Sequence, residues 1–157
     1  MCATVSENDL SAIMNAWPHE PGRFLVRAVE AADGREVLQI RIDLGILQME
    51  LAGRPDGTRP RGEESWLVVQ QADLAGYRQA HGSDRGFVMS EEDCRLLREE
   101  AAQYFHRYVA LFHLGQFAAV IRDTTRNLEC IDLCGNYGAT EADQRALETF
   151  RPQVITM

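Results

Sequence analysis

A chain of 157 residues, 45% hydrophobic and 25% charged, is long enough to bury a core, and residues 1–157 read as a single domain. Its formal net charge of -8 argues against general affinity for phosphate backbones or anionic membrane surfaces, which depends on a basic footprint. No stretch approaches the roughly 20 apolar residues of a membrane span, and the N-terminus lacks the basic start and apolar run of a signal peptide. A cytoplasmic setting is expected.

Glu7 to Trp17 has weak helical character, ended by Pro18 and Pro21-Gly22. Phe24 to Ala31 then reads as a strand, joined through Asp33-Gly34 to a second. Asp-Gly accepts the positive φ angles of a tight turn. Leu38, Ile40, Ile42 and Leu44 alternate with Val37, Gln39, Arg41 and Asp43, and after Gly45 the alternation resumes with Leu47, Met49 and Leu51 against Gln48 and Glu50. Period-two patterning predicts half-buried strands. Residues 1–62 therefore read as a short helix followed by a three-stranded antiparallel meander, whose apolar face must be covered by helices. The segment from Gly53 to Gly62 is a loop built on Pro55-Asp56-Gly57 turn chemistry. Its three arginines, Arg54, Arg59 and Arg61, are either solvated or a contact surface for an anionic partner.

Residues 63–157 read as helical, so the class is α+β. Glu64 to Ala80 is a helix closed by Gly82. Ser90 with Asp93 forms a capping-box signal, with Met89 and Cys94 as a hydrophobic staple. Cys94, Leu97, Ala101, Phe105, Tyr108 and Phe112 then recur at helical spacing. Gly115 closes this helix, and Phe117, Val120, Ile121, Thr124, Leu128 and Ile131 mark the apolar face of the next, ending near Gly135. A linker this short makes the pair, about 90–135, an antiparallel hairpin. A last helix, Glu141 to Phe150, is capped by Thr140 and stopped at Arg151-Pro152, leaving Val154 to Met157 as an apolar tail.

Ala118-Ala119, Arg122-Asp123 and Leu128 within residues 104–133 resemble the UVR motif, the helical hairpin of the UvrB and UvrC repair proteins and of some chaperone-linked regulators. The chain is similar in general make-up to bacterial proteins carrying that motif. The resemblance implies a protein–protein interaction module, with close packing at the alanines and a place in a DNA-repair or stress-response assembly as one alternative. It departs from the family at Gly115, where an aromatic is usual. Leu114-Gly115 followed by Phe117 is also similar to the turn of a tetratricopeptide unit, without a 34-residue repeat elsewhere.

Chemistry is sparse. Cys2, Cys94, Cys130 and Cys134 are too few for a disulfide scaffold, and His19, His81, His106 and His113 form no ligand set with them, so neither metal nor cofactor is expected. No Ser-His-Asp or Cys-His arrangement can be argued from spacing. Asp43 and Glu50 read as outward-facing sheet residues. Asp123 and Arg107 are placed to meet across the hairpin as a structural ion pair, since no nucleophile or glycine-rich loop accompanies them. The expected function is a non-enzymatic adaptor binding a protein partner through Arg122, Asp123 and Arg126 and the arginine loop. A small-ligand or enzymatic domain, with a pocket between sheet and helices, is the other alternative. Ile46 and the apolar tail raise self-association as a homo-oligomer.

Overall fold

The polypeptide pairs a small sheet with a larger helical layer, and the hairpin is the part of that layer on which the sheet packs. The computed structural model describes residues 8–157; Cys2 and the start of the first predicted helix at Glu7 lie outside them. A short helix α1 (Ser11–Ala16) opens the described chain and buries none of its residues. It leads into strands β1 (Leu25–Glu30), β2 (Glu36–Ile42) and β3 (Gly45–Glu50). They form an antiparallel meander in the order β1-β2-β3. The β1–β2 turn has Gly34 at φ 82, with the Asp33 carboxylate accepting the Arg35 N–H at 3.2 Å.

The register places Val26, Ile40 and Leu47 in one row and Ala28, Leu38 and Met49 in the next. This face packs on the hairpin in a cluster with Tyr108, Ala110, Leu111 and Val120. Two expectations for the sheet need correction. Ile42 pairs with Gly45, so Leu44 sits in a two-residue turn, exposed, instead of continuing the apolar face. Arg41, expected on a polar outer face, is buried. Its Nε donates to the Trp17 carbonyl at 2.8 Å and its Nη1 to the Gly45 carbonyl at 2.9 Å. Trp17 also stacks on the Arg27 guanidinium, 4.0 Å from the ring centroid. The residues following α1 thus cover part of the sheet's outer face, and carbonyl oxygens supply the acceptors that a buried guanidinium requires.

The helical layer begins with α2 (Trp66–His81) and continues through α3 (Glu91–His113), α4 (Phe117–Tyr137), α5 (Glu141–Ala146) and α6 (Arg151–Ile155). The capping box at Ser90 is present in full, with Asp93 N–H to Ser90 Oγ at 3.1 Å and Ser90 N–H to Asp93 Oδ2 at 3.1 Å. Met89 and Cys94, the staple pair, are both buried in one core cluster with Leu67, Leu97, Ile131 and Val154. Gly115 at φ 71 turns the chain between α3 and α4, and the Gln116 N–H reaches back to the Leu111 carbonyl at 2.9 Å, the bond of a Schellman cap.

The C-terminus differs from expectation. Pro152 lies in the first turn of α6 instead of ending the helical structure, because proline there forfeits no intrahelical bond. The tail is helical as far as Ile155, and Val154 is buried against the core. No helix among the described residues is long and apolar enough to cross a membrane.

Candidate functional site

The facing surfaces of α3 and α4 bury apolar residues such as Leu97, Tyr108, Val120 and Ile131, but they also enclose a polar network that the sequence pattern does not predict. Arg107 and Asp123 are each 1% exposed and meet across the hairpin as fork and carboxylate, Nε to Oδ2 at 2.7 Å and Nη2 to Oδ1 at 3.0 Å. The remaining Arg107 nitrogen donates to the Glu50 and Gly53 carbonyls at 3.0 and 2.7 Å, tying the end of β3 to the hairpin. Bidentate geometry with every nitrogen engaged is what allows such a pair to be buried.

Two helical turns earlier, Glu100 is fully buried and serves three elements at once. Its Oε2 accepts the Trp66 N–H at 2.7 Å and its Oε1 the Leu67 N–H at 3.2 Å, at the N-terminus of α2. A carboxylate there satisfies orphan amides and complements the helix dipole. The same carboxylate is paired with Arg126 from α4 and with Arg54 from the loop, whose Nε lies 3.0 Å away without hydrogen-bond alignment. Tyr104 lies between the two ion pairs, its ring centroid 3.8 Å from the Arg126 guanidinium carbon and 4.6 Å from that of Arg107. Its hydroxyl donates to the Gly53 carbonyl at 3.2 Å. Burial pushes the Tyr104 phenol up to about 12. Asn127 completes the seam, donating to the Ala101 carbonyl at 3.0 Å.

The predicted contact residues therefore separate. Asp123, Arg126 and Arg54 point inward and are taken up by this network, which gives them an internal role in place of the surface role expected of them. Arg122 is half exposed, donating to Asp123 at 2.9 Å and to the Leu51 carbonyl at 3.2 Å. Arg59 and Arg61 lie on the loop, and Arg61 is exposed and paired with Asp73 at 3.0 Å. Asp43 lies exposed at the β2–β3 turn, while Glu50 pairs with Arg35. Of the two alanines in the UVR-like string, Ala119 packs against the sheet-side cluster and Ala118 is exposed.

Part of the apolar stripe on each helix lies outside the seam. Phe105 and Phe112 on α3, and Phe117 and Ile121 on α4, are predicted to face the core but are 41%, 42%, 57% and 65% exposed. The Phe112 and Phe117 rings meet edge-on at 5.8 Å across the hairpin turn, and Phe24 packs on His113 at 4.3 Å. Phe24, Phe112, Phe117 and Ile121 are thus exposed at the tip of the hairpin. The sequence signal that could have found them is the excess of apolar residues over one helix face, a stripe too wide for a single contact.

Cys94, Cys130 and Cys134 are free and buried. Burial pushes the Cys130 thiol up, while the hydrogen bond between Cys94 and Cys134 holds the Cys94 thiol down and, together with burial, pushes the Cys134 thiol up. Among the described residues no group of three His, Cys, Asp or Glu side chains is placed to hold a metal ion.

Compared with protein-family models, curated proteins and solved structures, the chain matches none.

Proposed function

We propose that this protein is a non-enzymatic interaction module that docks another protein on the tip of its hairpin. The observation that carries this reading is the patch of Phe24, Phe112, Phe117 and Ile121, left exposed while the seam beside it is fully occupied. Contiguous aromatic and aliphatic side chains on a surface gain free energy when a partner covers them, and aromatic anchors dominate protein interfaces. The net charge of -8 favours a protein partner over an anionic membrane surface. Half-exposed Arg122 supplies a polar contact on the outer side of α4. A cytoplasmic setting is in keeping with three unpaired cysteines.

The test is site-specific photocrosslinking in cells. A crosslinking residue at Ile121 is expected to capture one protein reproducibly, and the same residue at Asp73 on α2 is expected not to. Phe112→Ser with Phe117→Ser should abolish the adduct while leaving the circular dichroism spectrum unchanged. Equal capture from both positions, or an adduct indifferent to the two serines, would remove the hairpin tip from consideration. Capture of a second copy of the chain, confirmed by light scattering, would replace a foreign partner with self-association.

A further inference from the structure

A cavity of about 160 Å³ lies among the helices on the side of the hairpin away from the arginine loop, lined by Ala101, Phe105, Tyr108, Ile131, Leu147 and Val154. It is not the pocket between sheet and helices that the sequence suggested; α3 and α4 form one side of it, and the C-terminal segment running into α6 forms the other. Asn127, at its wall, is already engaged, donating to the Ala101 carbonyl at 3.0 Å and accepting from Arg126 at 3.0 Å. Apart from Asn127 and Arg98, the Gln153 amide and the Tyr108 hydroxyl are the other polar groups in this lining, so the interior is largely apolar and water entering it would find few partners. Apolar cavities of roughly 150 Å³ lined by aliphatic and aromatic side chains take up a molecule the size of a benzene ring.

Arg98 is the only ionised residue in this lining. Asp143 accepts from its Nη1 at 2.9 Å, which fixes the guanidinium, while the side chain stays 32% exposed with further donors to offer. Asp143 is itself held by Thr140, hydroxyl to Oδ2 at 2.8 Å, so the arginine's anchor is built into the cap of α5. A cavity with an apolar body and a fixed guanidinium in its wall has the chemistry of a site for an amphipathic anion. Lining residues Phe105 and Phe150 are both exposed, apolar surface that a ligand's tail would cover.

We infer that this cavity binds a small monocarboxylate whose apolar body is a short acyl chain or a single ring, with the carboxylate on Arg98. The inference is independent of the docking role, since none of Phe24, Phe112, Phe117 and Ile121 lines the cavity. The experiment is a titration of the full chain with hexanoate, hexanol and hexylammonium, followed by calorimetry and amide chemical shifts. Hexanoate is expected to bind saturably at one site, shifting the amides of Ala101, Phe105 and Val154. Hexanol should bind on the order of tenfold more weakly, and hexylammonium not at all. Arg98→Gln should reduce hexanoate to the level of hexanol. Ala101→Leu fills the cavity, and Ala102→Leu, at an exposed helix position that tolerates leucine, narrows its mouth; both should abolish binding. Absence of saturable binding by any probe, binding unchanged in the folded Ala102→Leu chain, or hexanoate no tighter than hexylammonium or insensitive to Arg98→Gln would each overturn the assignment.

Discussion

Arg107 and Asp123 hold α3 and α4 together through two parallel hydrogen bonds of 2.7 and 3.0 Å, with both side chains withdrawn from water. A pair buried this deeply is costly to break from one side, because the survivor becomes an uncompensated internal charge. Asp123→Ala is expected to destabilise the fold by about 3–5 kcal/mol in urea unfolding. Arg122→Ala, removing only the half-exposed arginine on the same carboxylate, should cost less than about 1 kcal/mol. Replacing both partners by apolar side chains of similar reach, Arg107→Met with Asp123→Leu, should recover much of the loss. A double variant no more stable than Asp123→Ala alone would show that the pair does not act as a unit.

Glu100 gives a prediction with a local signature. Glu100→Gln removes the charge that faces Arg54 and Arg126 and weakens the cap on Trp66 and Leu67. The expected cost is about 3 kcal/mol. Hydrogen exchange should accelerate first at the amides of residues 66 and 67, ahead of the rest of α2. Uniform acceleration along the helix would mean that the carboxylate does not cap it.

Tyr104 predicts how the fold fails in alkali. Its folded-state phenol titrates at about 12, raised chiefly by burial, against roughly 10 for an unfolded tyrosine. Between those values the unfolded chain has released a proton that the folded chain retains. Stability from this group is thus complete below about pH 10 and declines as pH rises toward 12. Tyr108 is raised in the same direction by burial, and Tyr137 by its hydrogen bond to Asp84. Denaturant titrations from about pH 9 to 12 should show this decline, and Tyr104→Phe should make it shallower. An identical slope in the variant would exclude Tyr104 as its source.

Gly115 tests the turn of the hairpin. At φ 71, with nothing within 4 Å of an added Cβ, it is held to glycine by backbone conformation alone. Gly115→Ala should cost about 1 kcal/mol and Gly115→Asn less, since asparagine tolerates the left-handed region. Equal stability of all three chains would contradict the cap described for α3.

The sheet, the hairpin and its capping box were legible because period-two alternation, Ser90 with Asp93, and Gly115 are local signals, each decided by neighbours in sequence. The inward turn of Arg54, Arg126 and Arg41 was not. Their polarity assigns them to the surface by default, and only the convergence of Glu100, of backbone carbonyls and of Tyr104 from distant segments reverses that assignment. The exposure of Phe112, Phe117 and Ile121 was not legible either, since Leu97, Tyr108, Val120 and Ile131 on the same stripes are buried and helical spacing does not separate the two groups. Arg107 with Asp123 was anticipated because both residues sit on one hairpin, where pairing depends on register rather than on tertiary folding.

The buried network also sets an order of assembly. Its internal pairs close short loops, 16 residues for Arg107 with Asp123 and 26 for Glu100 with Arg126. Its ties to the loop after β3 and to the end of β3 span 54 and 57 residues, from Arg107 to the Gly53 and Glu50 carbonyls. Short closures cost less chain entropy and form sooner. Within this network the hairpin pairs then form first, and the segment after β3 is recruited to charges already in position. Stopped-flow kinetics should accordingly show Asp123→Ala slowing refolding, while Arg54→Ala leaves refolding nearly unchanged and speeds unfolding. The arginine loop is thus the latch that closes last and opens first.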